Sequence, residues 1–599
     1  MQKTTSLAVQ QLPIIVLIVL FGFFTRGLYV GVQSIWADEA FTYIATQSDT
    51  FWQTITSDVH PPLYFMLITG WTWLAGTSEF ALRIPSVFAG TIAMATVVGI
   101  GRELIKHRPH PRASIIPVIA VLLFALSDLE VMVAQEARSY TLHGIWVTLS
   151  VWFYLRWIRL SHYRDAILFV LTTLLILFTH YIGVFTPIAL GFHALLFLRG
   201  RKRILTIALL VLSAIIFLPW VYFVIIARQI GKFAGDVVPA YETSWETLWY
   251  FRLPWLTNQW ALMLALFVLG LFIVQRTEYR WRFGKQNVHI VGLLLLWIAV
   301  PLMLAFTLNT WLPVLYDYRL TQITIPIVLL MAYGLANLDK LARWVLIAVI
   351  MLYGVFIVDV YRPKLPWAEY ANLVTAFVTE DDAIITEFNG GDYMLDYYLP
   401  PRLPDTVERV SVWQWLKDSP ETYESGLLGF ADTHDTVWLA RWSETSDAEV
   451  KLRATNHIIT MQQNFIYEGN QLEVLRFDRL SDEHLLSFNN GLILHNAIVH
   501  EDGLIDLWWS TDSVLSVDYT ISVKVFAPDG TLITQNDIQP QLGTQPTSTW
   551  QIGQIIYDPH DLGLTMTDDM QVMLQVYQWQ ADGLILQTFG DDEDAYFLD

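Results

Sequence analysis

Cysteine is absent from all 599 residues, which excludes disulfides, thiolate metal sites and a cysteine nucleophile. Charge is scarce as well. Asp, Glu, Lys and Arg make up 15% of the chain against 54% hydrophobic and 14% aromatic residues, too apolar for an ordinary soluble protein. The charge that is present divides unevenly. Residues 1–361 hold 25 Lys/Arg and 17 Asp/Glu, formally +8, and residues 362–599 hold 11 and 39, formally −28, giving the net −20. Basic side chains are too few for a nucleic-acid partner, because phosphate contacts need Lys and Arg. The pattern describes a slightly basic membrane half followed by a strongly acidic soluble half.

A helix needs roughly 20 mostly apolar residues to cross a bilayer. Runs of this kind lie at about 13–33, 84–101, 114–127, 140–157, 166–180, 182–198, 204–226, 260–275, 289–307, 320–337 and 343–361. The first is too long for a cleaved signal peptide and has no small-residue cleavage site before Trp36. Of the 25 Lys/Arg in this half, 18 fall at Lys3 and in one set of alternate loops, 102–112, 156–164, 199–203, 276–285 and 340–343. The positive-inside rule makes that side cytoplasmic. Pro61–Ala75 is apolar but only 15 residues long, and counting it as a crossing would invert every later loop, so it reads as a juxtamembrane helix on the outer surface. The expectation is a polytopic α-helical protein of the plasma membrane with about 11 transmembrane helices. Its N-terminus is cytoplasmic and its acidic half extracytoplasmic.

This topology gathers the polar residues on the outer face. Asp38, Glu39, Asp49, Asp58 and His60 share one loop, and Asp128, Glu130, Glu136 and Arg138 a second; His180-Tyr181 and Tyr316–Arg319 form two more turns. Ionisable groups at membrane depth are costly and are functional candidates by default. Any one of them is equally an interfacial residue solvated by headgroups; a set of both signs converging on one face points to a site. Arg26, inside the first span, needs a buried partner or must snorkel outward.

Ordered motifs sit at these positions: Trp36-Ala-Asp-Glu-Ala-Phe-Thr-Tyr43, Asp58-Val-His-Pro-Pro-Leu-Tyr64, Ala81-Leu-Arg-Ile-Pro-Ser86, Gln135-Glu-Ala-Arg-Ser-Tyr140, Thr179-His-Tyr181, and Tyr318-Arg319 followed by Pro326. Together they resemble the bacterial dolichyl-phosphate-mannose-protein mannosyltransferase-like enzymes. These are membrane glycosyltransferases of the C-type fold, a group that also includes the lipid A aminoarabinose transferases. Trp367 and Asp381-Asp382-Ala-Ile resemble the start of the soluble domain that often follows this core, so the resemblance covers about 1–480. One departure is Arg319-Leu320, where relatives commonly have Arg-Tyr. The resemblance implies transfer of a sugar from a polyprenyl-phosphate donor to a glycan, lipid or protein acceptor at the outer face of the membrane.

The residues can be read for that chemistry. An acceptor hydroxyl must lose a proton while the bond from sugar to lipid phosphate breaks through an oxocarbenium-like transition state. Phosphate is a good leaving group, so it needs cationic stabilisation more than protonation, and the minimum is a carboxylate base, a cation or metal, and a groove open to lipid. Asp38, matching the family's first-loop acid, is the expected base. Glu39 reads as a supporting acid that orients the acceptor or pairs with an Arg, or else as a helix-entry residue at the interface. Asp58 and His60 offer carboxylate plus imidazole, which suits a divalent metal without completing a coordination shell. In the other reading His60 caps the helix that Pro61 and Pro62 initiate. Arg138 and Arg319 carry the fixed donors that suit phosphate, with structural pairing to Glu136 or Glu130 and to Asp317 as the alternatives. Tyr140, His180 and Tyr318 complete the expected substrate-binding set. Arg83 reads as packing a turn.

The acidic half divides again. Residues 362–480 mix a helix at Trp367–Val378 with apolar runs at Ala383–Thr386 and Thr436–Ala440, the pattern of a small α/β domain. Residues 484–599 alternate as short strands at Leu504–Trp509, Tyr519–Phe526, Ile555–Tyr557 and Gln571–Trp579, broken by Pro and Gly, the pattern of a β-sandwich. Trp508, Trp509, Trp550 and Trp579 read as core, with stacking on sugar rings as the alternative. A transporter or flippase of lipid-linked or small polar substrates is the competing function. Transporters place charge near the midplane, within broken helices and repeated halves; here charge clusters at one face and no two halves match.

Overall fold

The computed structural model describes residues 10–47, 51–52, 55, 60–107, 113–228, 244, 246, 274–277, 280–283, 288–311, 314–387, 393–412, 415, 420–442, 447–453, 457–467, 470–479, 484–567, 569–580 and 583–598. Two compact units divide the chain, Met1–Leu365 and Pro366–Asp599.

The first unit is helical: α1 Leu12–Gly27, α2 Ala37–Gln47, α3 Leu63–Ala75, α4 Glu79–His107, α5 Ile116–Ala125, α6 Asp128–Ala134, α7 Tyr140–Leu160, α8 Tyr163–Thr179, α9 Phe185–Phe197, α10 Gly200–Arg228, α11 Val288–Leu308, α12 Thr324–Asn337 and α13 Lys340–Ile357. Five helical stretches among the described residues are long and apolar enough to cross a membrane: Glu79–Lys106, Gly200–Val224, Val288–Leu308, Tyr318–Asn337 and Lys340–Ile357. A sixth results if α5 and α6, bent by 60° at their junction, form one span. Of the run read at 260–275, residues 260–273 lie outside the described residues, and its end enters a two-stranded hairpin of β1 Val274–Thr277 and β2 Arg280–Phe283. The core packs around α12, in which every residue from Thr324 to Ala336 is buried.

Arg26 finds its partners at the α5–α6 bend. It is fully buried, and its Nη2 donates to the Phe124 carbonyl at 3.1 Å and its Nη1 to that of Ala125 at 3.4 Å. A helix end leaves carbonyls without intrahelical donors, and a cation there also meets the favourable end of the helix dipole. The charge therefore stays inside the bundle.

In the second unit α14 Trp367–Phe377 precedes a mixed five-stranded sheet of β3 Ala383–Glu387, β4 Glu408–Ser411, β5 Thr436–Trp442, β6 His457–Tyr467 and β7 Asn470–Arg479, ordered β4-β3-β5-β7-β6. The pairs β3–β4 and β3–β5 are parallel, the rest antiparallel. Two antiparallel sheets follow. One holds β8 Leu486–Ser487, β9 Leu492–Val499, β10 Leu504–Thr511 and β13 Ile556–Asp561. The other holds β11 Thr520–Phe526, β12 Leu532–Ile538, β14 Gln571–Gln580, β15 Gly583–Leu586 and β16 Tyr596–Leu598. Alternate residues of β11 (Ile521, Val523, Val525) and β14 (Val572, Leu574, Val576) share one core with Leu492, Leu507 and Trp509 of the facing sheet, as period-two alternation requires. Trp508, Trp509 and Trp550 are buried, whereas Trp579 is 67% exposed.

A buried ionic network runs through this unit. Asp506, with no exposed surface, accepts from Arg453 Nη1 at 2.9 Å, His500 Nε2 at 3.0 Å and the Tyr557 hydroxyl at 2.7 Å. Arg453 also pairs with Glu449, which pairs with Arg441, which pairs with Glu473. Burial alone would raise the Asp506 carboxyl; His500, Arg453 and Tyr557 overcome it and hold the group below its ordinary value. A depressed folded-state pKa gives stability that is present above the unfolded value near 3.9 and lost as pH falls through the folded value. Asp506→Asn is therefore expected to destabilise the unit by about 3 kcal/mol at neutral pH, because it removes the charge that Arg453, His500 and Tyr557 converge on and leaves Arg453 only Glu449, with the difference shrinking in acid. Calorimetry of the full chain at several pH values measures this.

Candidate active site

The site is built on the first turn of α2. Asp38 and Glu39 stand at the positive end of the helix dipole, and Glu39 reaches back to the Trp36 N–H at 3.3 Å, half of a capping box. Successive residues on an α-helix diverge by about 100°, so the two acids face different surroundings.

Glu39 faces inward and is fully buried. Its Oε1 and Oε2 accept from Arg83 Nε and Nη2, both at 2.7 Å, from Lys364 Nζ at 2.8 Å and from the Ala137 N–H at 2.9 Å. Arg83 spends its remaining donors on the carbonyls of Val30 (2.8 Å), Gln33 (2.7 Å) and Ser34 (2.9 Å), so all five of its N–H groups are used. Burial would raise the Glu39 carboxyl, but Lys364 and Arg83 hold it well below the usual carboxylate range. Of the readings open to Glu39 in the sequence, the geometry matches pairing with an Arg. Arg83 does more than pack a turn: it fastens the 30–34 segment to α2.

Asp38 faces the open side, its side chain 38% exposed. Arg138 Nη1 donates to the Asp38 carbonyl at 2.9 Å and Nη2 lies 3.3 Å from its carboxylate. The same Nη2 is 3.5 Å from His60 Nε2. From there the rings connect: His60 to His180 at 5.3 Å, His180 to Tyr140 at 5.8 Å, Tyr140 to Tyr318 at 5.2 Å and Tyr318 to Tyr316 at 5.0 Å. Arg319 lies over Tyr316 at 4.6 Å and Tyr318 at 5.8 Å, and Arg138 over Tyr140 at 6.0 Å. His180 accepts from the Ile182 N–H through Nδ1 at 3.2 Å, which leaves the proton on Nε2. That buried N–H has no acceptor among the described residues.

Asp38, His60, Arg138, Tyr140, His180, Tyr318 and Arg319 thus come together from five separate segments, while Asp58 lies outside the described residues. Pro62, without a side-chain cap, begins α3, and His60 lies against Arg138 and His180. Among the described residues no three His, Asp or Glu side chains are grouped to hold a metal ion.

The segment after α13 is a part of this site that the sequence reading missed. Asp128 accepts from the Asp359 N–H at 2.9 Å and from Arg362, Gln135 Nε2 donates to the Val360 carbonyl at 3.0 Å, and Lys364 reaches Glu39. The boundary drawn at 361 assigned Arg362 and Lys364 to the outer domain. Two basic residues directly after the last span were the available signal. Beside the site an apolar cavity of about 210 Å³ opens between α3, α4 and α7, lined by Tyr64, Ile68, Trp71, Pro85, Ala89 and Leu142 among others.

Neither protein-family models nor curated proteins match the sequence. Solved structures do match its fold. ArnT from Cupriavidus metallidurans in the apo state is 12% identical with a TM-score of 0.52, over 77% of this chain and 97% of that one. The same protein bound to undecaprenyl phosphate gives 11% and 0.48 over the same shares. The archaeal oligosaccharyltransferase AglB from Archaeoglobus fulgidus, in complex with an inhibitory peptide and a dolichol-phosphate, gives 10% and 0.49 over 97% of both chains. The likeness to apo ArnT is one of fold: this is a multi-pass membrane protein of the C-type glycosyltransferase fold, as the motifs implied.

Proposed function

We propose that the protein is a membrane glycosyltransferase that moves a sugar from a polyprenyl-phosphate donor to a glycan, lipid or protein acceptor on the outer face of the plasma membrane. The observation that carries this reading is the junction of Asp38, Arg138 and the His60–His180–Tyr140–Tyr318 ring chain with an apolar cavity. Lipid phosphate needs cations and hydrogen-bond donors beside a greasy channel, and those groups stand together here.

In this reading Asp38 is the base. Its carboxylate takes the acceptor hydroxyl proton as the acceptor oxygen bonds to the anomeric carbon and the carbon–phosphate oxygen bond breaks. Arg138, the His180 Nε2–H and Arg319 receive the charge that develops on the phosphate. The Tyr64–Leu142 cavity holds the first isoprene units. The full arrangement has eleven crossings with a cytoplasmic N-terminus, a transmembrane core at 1–361, and extracytoplasmic α/β (362–480) and β-sandwich (484–599) domains. Purified protein in liposomes, given labelled polyprenyl-phosphate hexoses and pentoses, is expected to release free polyprenyl phosphate and label an acceptor. Inactivity across the panel, with the lipids instead moved between leaflets, would replace this reading with a flippase.

A further inference from the structure

Gln322 follows Arg319 by three residues, is fully buried, and has no part in the chemistry so far. Its amide joins two turns that are far apart in the chain. The Thr186 hydroxyl, also without exposed surface, donates to Gln322 Oε1 at 2.5 Å, and Gln322 Nε2 donates to the Ile182 carbonyl at 3.4 Å. A carbonyl only accepts, so the amide has one way to face. Ile182 belongs to the 3₁₀ turn Tyr181–Val184, and its N–H is the group that donates to His180 Nδ1 at 3.2 Å. Gln322 belongs to the 3₁₀ turn Tyr318–Ile323, which carries Tyr318 and Arg319 and is anchored in the helical core by Leu320 and Ile323. The His180 side of the bridge fits closely. A Cβ on Gly183 would lie 2.4 Å from Ile176 Cγ2 and 3.0 Å from His143 Nε2, so the turn has no room for a larger residue there.

We propose that Gln322 is a positioning residue for donor binding, which fixes the His180 ring relative to Tyr318 and Arg319 so that His180 Nε2–H and Arg319 meet one lipid phosphate. The proposal rests on the glycosyltransferase reading, in which those two groups share the phosphate. Gln322 acts through others: its bond to the Ile182 carbonyl holds the turn, and the Ile182 N–H holds the tautomer and direction of the imidazole. A hydrogen bond to a charged oxygen depends steeply on direction, so a ring whose turn is released loses it. For packing alone an apolar side chain of the same length would serve, because a buried amide gains little net stability from its hydrogen bonds. What the amide adds is the link between the two turns.

The test is binding of undecaprenyl phosphate to the purified full-length protein in detergent, for wild type, Gln322→Met, His180→Ala and the double variant, with melting as the control for folding. Each single change is expected to weaken binding about tenfold, the loss of one hydrogen bond to a charged group. The double variant should bind no more weakly than His180→Ala, because the two act through one ring. A merely structural Gln322 would multiply its loss onto that of His180, and a product of the two factors overturns the proposal, as does wild-type affinity in Gln322→Met. Thr186→Val, which removes one hydroxyl and keeps the shape, serves if Gln322→Met melts early: about threefold weaker binding alone is expected, and no further loss in the His180→Ala background. Wild-type affinity in His180→Ala would instead remove His180 from the phosphate, and absence of binding by the wild-type protein would overturn the lipid-phosphate reading itself.

Discussion

Asp38→Asn is expected to abolish sugar transfer, lowering the rate by about 10²–10⁴-fold while leaving folding and donor binding intact. The amide keeps the size of the carboxylate and leaves the 2.9 Å bond from Arg138 to the Asp38 carbonyl untouched. What it removes is the carboxylate's charge toward Arg138 and, in the proposed reading, its capacity to take a proton. At 38% exposure the side chain is open to an acceptor, and Arg138 at 3.3 Å pairs with it without enclosing it. Single-turnover transfer with saturating donor separates this loss in rate from a loss in affinity. Transfer by Asp38→Asn at the wild-type rate would remove Asp38 from the chemistry. Arg138→Ala should differ by weakening donor binding as well, since in the proposed reading it deletes a phosphate ligand.

The second large effect is structural. Arg83→Met is expected to destabilise the helical unit by about 3–5 kcal/mol, because Glu39 then loses its bidentate partner and three carbonyls lose their donors. Glu39→Gln should cost a similar amount by stranding a guanidinium that is 1% exposed. Lys364→Met should cost less, about 1.5–3 kcal/mol, since Arg83 still neutralises Glu39. Thermal melting in detergent ranks the three. The sign with pH follows from the depressed Glu39 carboxyl: its contribution is complete above the unfolded value near 4.3 and is lost only as pH falls through the lower folded value. Melting differences should therefore stay flat from about pH 5 to 8. If Glu39→Gln melted like wild type but transferred no sugar, Glu39 would have to be moved from scaffold to chemistry.

The two acids show how far linear reading reaches. Asp38-Glu39 stands out in sequence as an acidic pair after an apolar run, and the positive-inside count groups it with the other polar loops. Their division of labour is invisible there, because it depends on Arg83, 44 residues away, and Lys364, 325 residues away. The same holds for Arg26, whose hydrogen-bond partners include the carbonyls of Phe124 and Ala125 exposed by a bend about 100 residues away.

By itself the sequence determined the segregation of charge between the two halves, several of the long apolar helices, strands of the acidic half and most of the residues that meet at the site. Each follows from local pattern: apolar run length, period-two alternation, and motifs in order. Tertiary structure alone decided which acid is buried and which is open, and that Lys364 reaches Glu39 from the segment after α13. Those are properties of neighbours brought together from distant segments. Burial and pairing set the charge state of a carboxylate, and neither is written in the residues beside it.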